Sequence, residues 1–218
     1  MSIQIRKVSS KKELKTFVRF ANRLYKGNKY YVPSMPMDDM NTFTPDKNGA
    51  FDFSEAELYL AYKGDEVVGR VAAIINHKAN EAWKVKQVRF GWIDFIDDLE
   101  VSKALLDAVV AFGKARGMEQ IVGPLGFTDF DPEGMLVEGF EEDCTMATYY
   151  NPSYYPQIVE RLSYKKEVDW IQYRIKANQE IPEKILRINE VIKERYNLKI
   201  VDGLSAKQIA KRYGHKLF

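Results

Sequence analysis

The chain is poor in the residues that form covalent cross-links and metal centres. Its 218 residues include one cysteine, Cys144, and two histidines, His77 and His215. One cysteine excludes an intrachain disulfide and a cysteine-based metal cage, and two scattered histidines are too few for a histidine cluster. We therefore expect no metal. We also expect a reducing compartment, the cytoplasm, because the sequence makes no use of disulfides.

Long hydrophobic runs are also missing. No segment reaches the length of a membrane span, and the opening MSIQIRKVSS lacks the apolar stretch of a signal peptide. The formal net charge is only +2, and the basic residues form no stripe interleaved with aromatic side chains. These features predict neither a membrane nor a nucleic acid as a partner. The length suffices for one domain with a sizeable core and a remainder.

Basic residues are absent between Arg116 and Arg161, where acidic and aromatic residues are frequent. A surface of carboxylates and aromatic rings suits a cationic or amine-bearing ligand, through ion pairing and cation–π contact. The alternative is a solvated acidic face that is balanced by basic residues elsewhere in the fold. Charge alone favours this alternative.

Apolar periodicity predicts the element order β-α-loop-β-β-β-α-β-α-β. The strand, helix and strand between Val88 and Leu125 form a parallel βαβ crossover, whereas the remaining strands are connected by hairpins. The sequence thus predicts an α/β fold with a mixed, mostly antiparallel sheet, a parallel βαβ wedge and flanking helices. QIVGPLGF is expected to be a central strand and KEVDWIQYRI the last strand.

The pattern restarts after the first domain, which we predict to cover residues 1–176. The segment LKIVDGLSAKQIAKR is similar to IQIRKVSSKKELKTF near the start, and Ser205 aligns with Ser10. Residues 177–218 are therefore expected to form a linker helix and the start of a truncated second module. The alternative is that the similarity does not indicate a repeat, because any strand followed by a serine cap and a helix gives such a pattern.

Several longer motifs resemble a known family. They are YYVPSMPMDDMN (Tyr30–Asn41), GRVAAIINHKAN (Gly69–Asn80), RFGWIDFIDDLEVSKALLDA (Arg89–Ala108), GPLGFTDFDPEGMLVEGF (Gly123–Phe140) and YYNPSYYPQIVERLSYKKEVDW (Tyr149–Trp170). The chain resembles a bacterial family of longer GNAT-like proteins over most of residues 3–176. Its element order is similar to that of the GNAT acyl-CoA N-acyltransferase superfamily. The resemblance implies a GNAT fold and acetyl-CoA or another acyl-CoA as cofactor.

In that superfamily, the fourth strand, the third helix and the fifth strand form the acyl-CoA wedge. The resemblance places the cofactor near the end of this strand, the start of this helix and the later Tyr-Tyr-Asn motif. The candidate cofactor-binding residues are Phe95, Ile96, Asp97, Ser102, Lys103 and Asn151. The resemblance implies that a backbone group of the same strand contacts the thioester. Gly91 on this strand either marks a bulge or leaves space for a large neighbouring side chain.

The segment DDLEVSKA departs from the superfamily pattern. It stands where the family has an Arg/Gln-x-x-Gly-x-Gly/Ala turn, and both glycines are absent. Asp97 or Asp98 is expected to cap the helix by accepting its free N–H groups. A phosphate needs those same donors, so the sequence predicts a filled cap and weak acyl-CoA binding or none.

Catalytic candidates lie in the acidic and aromatic stretch. Asp129 and Asp131 of TDFDPEG follow a strand end, where sites occur in open sheets, and are candidate bases. The alternative is that they form a helix-capping turn. Tyr155 is the candidate acid for the departing thiolate, by resemblance to a tyrosine that the family would place near Val159. Because Tyr155 is out of register, aromatic packing is its alternative role.

Three functions remain open at this point. The first is an acyl-CoA-dependent N-acyltransferase acting on a small amine or amino-acid-like substrate. The second is a degenerate, non-catalytic GNAT-like half of a tandem protein, paired with a second GNAT-like module or forming a homodimer. The third is an aminoacyl-tRNA-dependent transferase, which the nearly neutral charge does not favour.

Hydrogen exchange tests the expected second module. If residues 198–218 begin a module without its full set of partners, their amides should exchange fast in solution. The reference is the helix that we predict around Val101–Phe112. Equal protection of the two segments would contradict the truncated module.

Overall fold

The first part of the chain folds around a five-stranded sheet. The computed structural model describes residues 2–176 and 180–216, and contacts divide the chain into two units that meet between Trp170 and Ile171. In the first unit the strands follow the order β1-β2-β3-β4-β5, with β4 and β5 parallel and the other neighbours antiparallel. The strands are β1 (Ile3–Lys7), β2 (Ser54–Lys63), β3 (Glu66–Asn76), β4 (Gln87–Phe95) and β5 (Gln120–Val122).

Five helices flank this sheet. They are α1 (Lys11–Leu24), α2 (Pro36–Thr42), α3 (His77–Trp83), α4 (Leu99–Lys114) and α5 (Tyr154–Arg161). The predicted fold class, a mixed and mostly antiparallel sheet with a parallel βαβ wedge and flanking helices, is confirmed. The order of the elements up to α5 follows the predicted one except for α3, which lies between β3 and β4, where no helix was predicted.

The helices begin where the sequence provides caps. The Ser10 side chain accepts from the backbone N–H of Glu13, and the Glu13 carboxylate accepts in return from the Ser10 N–H at 2.9 Å. This capping box satisfies donors that the first turn would otherwise leave free. The hairpin between β2 and β3 turns at Gly64, whose φ of 64° suits the first central position of the predicted type II′ turn.

Alternation along β3 divides the core between the two faces of the sheet. Val71, Ala73 and Ile75 join the cluster with α4 and α5, while Ala72 and Ile74 join the cluster with α1. Successive strand residues point to opposite faces, so a central strand that is covered on both sides is apolar throughout. The sheet thus has an α4 face and an α1 face.

The last two predicted strands differ from the structure. QIVGPLGF is an edge strand of three residues rather than a central one, because Pro124 has no N–H with which to continue the ladder. KEVDWIQYRI (residues 166–175) forms no strand. An alternating pattern becomes a strand only where a neighbouring backbone pairs with it.

The second unit contains two described helices, α6 (Glu183–Tyr196) and α7 (Ala206–Tyr213). Ser205 caps α7 in a capping box with Gln208, as Ser10 does with Glu13 in α1. The described residues 198–202 form no strand. The boundary at residue 176 and the second module stay predictions. No helix of the described ranges is both long and apolar enough to cross a membrane.

Gly91 on β4 provides a test of the packing between β4 and the chain after β5. Gly91→Ala should lower the free energy of unfolding by about 1–3 kcal/mol, because the added Cβ would collide with the backbone carbonyl of Leu125. Urea unfolding measures the change. Gly49→Ala is the control, since its Cβ would meet nothing within 4 Å. Equal stability of the two variants would contradict this close approach.

Candidate active site

A bulge interrupts β4 in the middle of the sheet. Arg70 of β3 pairs with Asp94, but Ala72 pairs with Gly91, so β4 carries one extra residue in this interval. Trp92 lies within it with a φ of 44°. A positive φ is uncommon for any residue other than glycine, and bulges often re-aim groups next to functional sites.

Beyond the bulge, no strand of the described residues pairs with the outer edge of β4. The ladder with β5 ends at Arg89, and the last backbone contact on this side is the Leu125 N–H donating to the Phe90 carbonyl at 2.9 Å. Three tyrosine hydroxyls then take the place of a strand. Tyr149 accepts from the Trp92 N–H at 3.1 Å, Tyr155 accepts from the Phe95 N–H at 2.7 Å, and Tyr154 donates to the Phe95 carbonyl at 2.6 Å.

Tyr155 also continues into a buried polar chain. Its hydroxyl lies 2.7 Å from the Tyr25 hydroxyl, which donates to Asp94 at 2.7 Å. The Arg70 Nε donates to the other Asp94 oxygen at 2.7 Å. An ionised carboxylate can only accept, so the Tyr25 proton points to Asp94 and the Tyr155 proton points to Tyr25. In this arrangement the Tyr155 hydroxyl turns its proton away from the bulge.

Burial keeps both hydroxyls of this chain protonated. It raises the pKa of Tyr25 and of Tyr155 well above the ordinary value, and the nearby negative charge of Asp94 raises both further. Burial opposes the charge on Arg70, but Asp94 outweighs it and the Arg70 pKa is raised. Arg70 is therefore charged, and the two tyrosines act as hydrogen-bonded neutral groups at neutral pH.

A narrow cleft lies beside the bulge. Ile93, Pro124 and Met135 line it together with Tyr149 and Tyr155, and it encloses about 10 Å³. This is roughly the space of one water molecule. The cleft lies next to the bulge of β4 and the start of α5, and Tyr149 and Tyr155 form part of its lining.

Asp98 caps the start of α4. Its Oδ1 accepts from the Glu100 N–H at 2.9 Å, and its Oδ2 lies 3.2 Å from the Lys63 Nζ. Burial would raise the Asp98 pKa, but the hydrogen bonds from Lys63 and from the Glu100 N–H outweigh it and lower the pKa. The filled cap expected from the sequence is therefore the arrangement in the structure, with Asp98 as the capping residue and Asp97 exposed.

The other predicted cofactor residues on β4 and α4 contact the protein itself. Phe95 is buried and stacks on Tyr155, and the Ile96 N–H donates to the Val68 carbonyl. The Ser102 hydroxyl is buried and donates to the Leu99 carbonyl at 3.0 Å.

Lys103 and Asn151 also have partners within the chain. The exposed Lys103 ammonium lies 2.6 Å from the Asp107 carboxylate. The buried Asn151 side chain accepts from the Leu136 N–H at 2.7 Å and donates to the Leu136 carbonyl at 3.0 Å. Asn151 therefore links the acidic loop, residues 128–140, to the segment just before α5. Its use as a cofactor ligand stays a prediction.

The predicted base residues lie on a loop above Arg89. Asp131 accepts from the Thr128 N–H at 3.0 Å within a turn at which no described helix begins, so it does not cap a helix as the alternative expected, while Asp129 is exposed. The buried Arg89 guanidinium donates to the Gly126 carbonyl at 3.0 Å. Burial lowers the Arg89 pKa, and the nearby loop carboxylates, Asp129 first, oppose this effect. Arg89 thus balances part of the acidic charge.

Burial also raises the pKa of the Asp131 and Glu133 carboxyls. These groups lie on the loop above Arg89, whereas Tyr155 lies in the polar chain that runs from β4 to α1. The structure thus gives the catalytic candidates separate surroundings. No group of three or more histidine, cysteine or acidic residues in the described ranges could hold a metal ion.

Sequence reasoning missed the polar chain of Tyr25, Asp94 and Arg70, together with Tyr149. A signal was present, since Asp94 and Arg70 each interrupt an otherwise apolar strand, RFGWIDF and VVGRVAAII. Charged residues are almost never fully buried unless they are paired. Their pairing across β3 and β4 could have been anticipated, but the two tyrosines that contact β4 and Asp94 could not.

Comparisons with known proteins find two curated relatives along much of the chain. No family model matches the sequence. The chain is 31% identical over 173 residues to Protein YghO of Escherichia coli (strain K12), covering 77% of this chain and 44% of that protein. It is 30% identical over 177 residues to Bacterial ceramide synthase of Caulobacter vibrioides (strain NA1000 / CB15N), covering 81% of this chain and 46% of that protein. The chain thus spans less than half the length of these curated relatives.

Among solved structures, the chain is similar to AAC(6')-Iy in complex with the bisubstrate analog CoA-S-monomethyl-acetylneamine. The sequence identity is 14% and the TM-score is 0.48, over 81% of this chain and 100% of that chain.

Asp94→Ala tests whether the polar chain stabilises the site. The substitution leaves the Arg70 charge and the Tyr25 hydroxyl buried without their partner, so we expect a loss of about 3–5 kcal/mol of unfolding free energy. Chemical denaturation measures it. Glu119→Ala breaks the exposed pair with Lys86 and should change stability by at most about 1 kcal/mol. A loss of that small size for Asp94→Ala would refute a stabilising role.

Proposed function

We propose that the protein is an acyl-CoA-dependent N-acyltransferase of the GNAT type, and that this chain forms a module of it whose own acyl-CoA wedge is closed. The observation that carries the proposal is the bulged strand β4 with a tyrosine-filled edge. The bulge is the feature that a GNAT wedge needs. The hydroxyls of Tyr149, Tyr154 and Tyr155 occupy the backbone groups next to it.

The sequence relatives support N-acyl transfer. One of them bears the name Bacterial ceramide synthase, and a ceramide is the product of joining an acyl group to an amine. The element order and the motifs that resemble GNAT-like proteins point to the same reaction class. Because this chain spans less than half of that relative, the activity and the substrate of the whole protein are part of the proposal.

The start of α4 does not fit a CoA diphosphate. A diphosphate needs free N–H donors and nearby positive charge. Here the Asp98 carboxylate takes the Glu100 N–H and the Lys63 ammonium, and Lys103 pairs with Asp107. The exposed carboxylates of the same turn would repel an anion.

The cleft beside the bulge does not fit an acyl group either. The Trp92 N–H, the donor that a carbonyl oxygen would use, is bonded to Tyr149 at 3.1 Å. The cleft encloses about 10 Å³, which holds roughly one water molecule. The residues present therefore favour a module that supports N-acyl transfer without binding acyl-CoA itself.

The proposed acceptor is a small amine or an amino-acid-like molecule. The acidic loop supports this choice, because Asp129 is exposed, whereas Asp131 accepts from the Thr128 N–H. Glu133 lies in the same loop, and burial raises its pKa. Arg89 beneath the loop limits the net negative charge, so Asp129 is the residue that we expect to meet an ammonium group.

A second candidate is that this chain is itself the catalyst. It is favoured by the position of Tyr155, which lines the cleft and bonds to β4 three residues after the bulge. In that case Tyr149 would have to leave the Trp92 N–H, and the Tyr155 proton would have to turn from Tyr25 toward the cleft. Acyl-CoA binding by this chain separates the two candidates.

Calorimetric titration of acetyl-CoA and desulfo-CoA into the chain provides the test. We expect no saturable binding at micromolar ligand. Asp97→Gly/Asp98→Gly should bind more tightly, because it frees N–H donors and removes two negative charges, and it should lose about 1 kcal/mol of stability with the cap. Asp65→Gly, in the exposed hairpin, is the control for lost charge. Micromolar binding by the unmodified chain, unchanged in the double variant, would overturn the closed module in favour of the second candidate.

A further inference from the structure

A second cavity, an open groove that is larger than the cleft beside β4, lies on the α1 face of the sheet. Its volume is about 540 Å³, which falls within the range of roughly 300–1,000 Å³ of small-molecule sites. The floor comes from β2, α1, α2 and the turns after α2. It consists largely of apolar side chains, among them Val8, Leu14, Phe43, Phe51 and Leu58.

The rim of this groove is basic. Lys7, Lys11 and Lys47 line it. Lys7 pairs with Glu57 at 2.9 Å, but Lys47 donates to the neutral amide oxygen of Asn41 at 2.9 Å. Lys11 has no hydrogen bond or ion pair among the described contacts. Two ammonium groups at the rim are therefore not matched by a carboxylate in the described part of the chain.

The acidic groups near the rim are already engaged. Glu57 is shared by Lys7, Arg116 at 3.0 Å and the Tyr59 hydroxyl at 2.8 Å. Glu13 accepts from the backbone and side chains of Ser9 and Ser10, and these hydrogen bonds lower its pKa to about 2. The Glu57 charge is thus offset by Lys7 and Arg116, and Glu13 keeps its negative charge beside neutral serine donors. Lys11 and Lys47 are the rim ammonium groups that no carboxylate contacts in the described part of the chain.

We propose that this groove binds a single-chain anionic amphiphile, namely a medium-chain alkyl carboxylate. The alkyl chain would lie on the apolar floor, where it is removed from water. The carboxylate would contact Lys11 and Lys47 at the rim. A single negative charge at the end of an apolar chain complements an apolar floor with a basic rim. The inference does not depend on the proposed function, since the groove lies on the face opposite α4.

The affinity should follow chain length and head-group charge. In titrations of octanoate, decanoate and dodecanoate below their micelle concentrations, each added methylene should tighten binding by about fourfold. Decanol and decylamine should bind more weakly than decanoate, because neither offers a negative charge to the lysines. Independence of chain length, or equal affinity for decanoate and decylamine, would overturn the proposal.

Lysine variants locate the head group. Lys11→Gln/Lys47→Gln should weaken decanoate binding by about three- to tenfold and leave decanol binding unchanged. Lys12→Gln/Lys15→Gln is the matched control, because it removes the same charge from exposed positions of α1 that do not line the groove. Equal losses in the two variants would show a general charge effect and reject the site.

Ala56→Phe tests the floor. Ala56 lines the groove, and a phenyl ring there should fill it and abolish decanoate binding. Circular dichroism and the thermal midpoint check the fold of the variant. If Ala56→Phe does not fold, the chain-length series and the lysine variants still decide the question. Full binding by a folded Ala56→Phe would overturn the proposal, and it would leave the acetyl-CoA titration untouched.

Discussion

The structure depends on how strand β4 satisfies its backbone groups after β5 ends. A buried strand cannot leave N–H and C=O groups without partners, and β4 continues for several residues beyond its last pair with β5. Tyr149, Tyr154 and Tyr155 provide the missing partners. Because two of these residues begin α5, the same hydrogen bonds also hold that helix against the sheet and close the cleft.

The buried ion pair of Arg70 and Asp94 ties this edge to the opposite face. Asp94 receives the Tyr25 hydroxyl from the end of α1, and Arg70 donates to the Phe17 carbonyl within α1 at 2.8 Å. Replacing such a pair by apolar side chains can be neutral for stability, whereas removing one member is costly. The pair therefore acts mainly on the position of α1, and through Tyr25 and Tyr155 on the position of α5.

The two properties that argue against acyl-CoA binding have one physical origin. A GNAT-type wedge needs unpaired donors at two places, the start of the helix after β4 and the free edge of β4. In this chain side-chain oxygens have taken both, Asp98 at the helix and the tyrosine hydroxyls at the edge. In the proposed closed module, the order of β4, α4 and β5 is that of the wedge, while these hydrogen-bonding groups are used within the protein. The groove on the α1 face is the larger of the two cavities described.

The sequence by itself determined the features that depend on neighbours along the chain. Periodicity predicted the helix around Val101–Phe112 and the hairpin-connected strands, and Asp97 or Asp98 was expected to cap that helix, because caps are local interactions. Tertiary structure decided the edge position of β5, the absence of the strand predicted at residues 166–175, and the hydrogen-bonded arrangement of Tyr25, Asp94 and Tyr155. These features depend on which distant segment supplies a hydrogen-bond partner, and a pattern of residues along one chain does not encode that choice of partner.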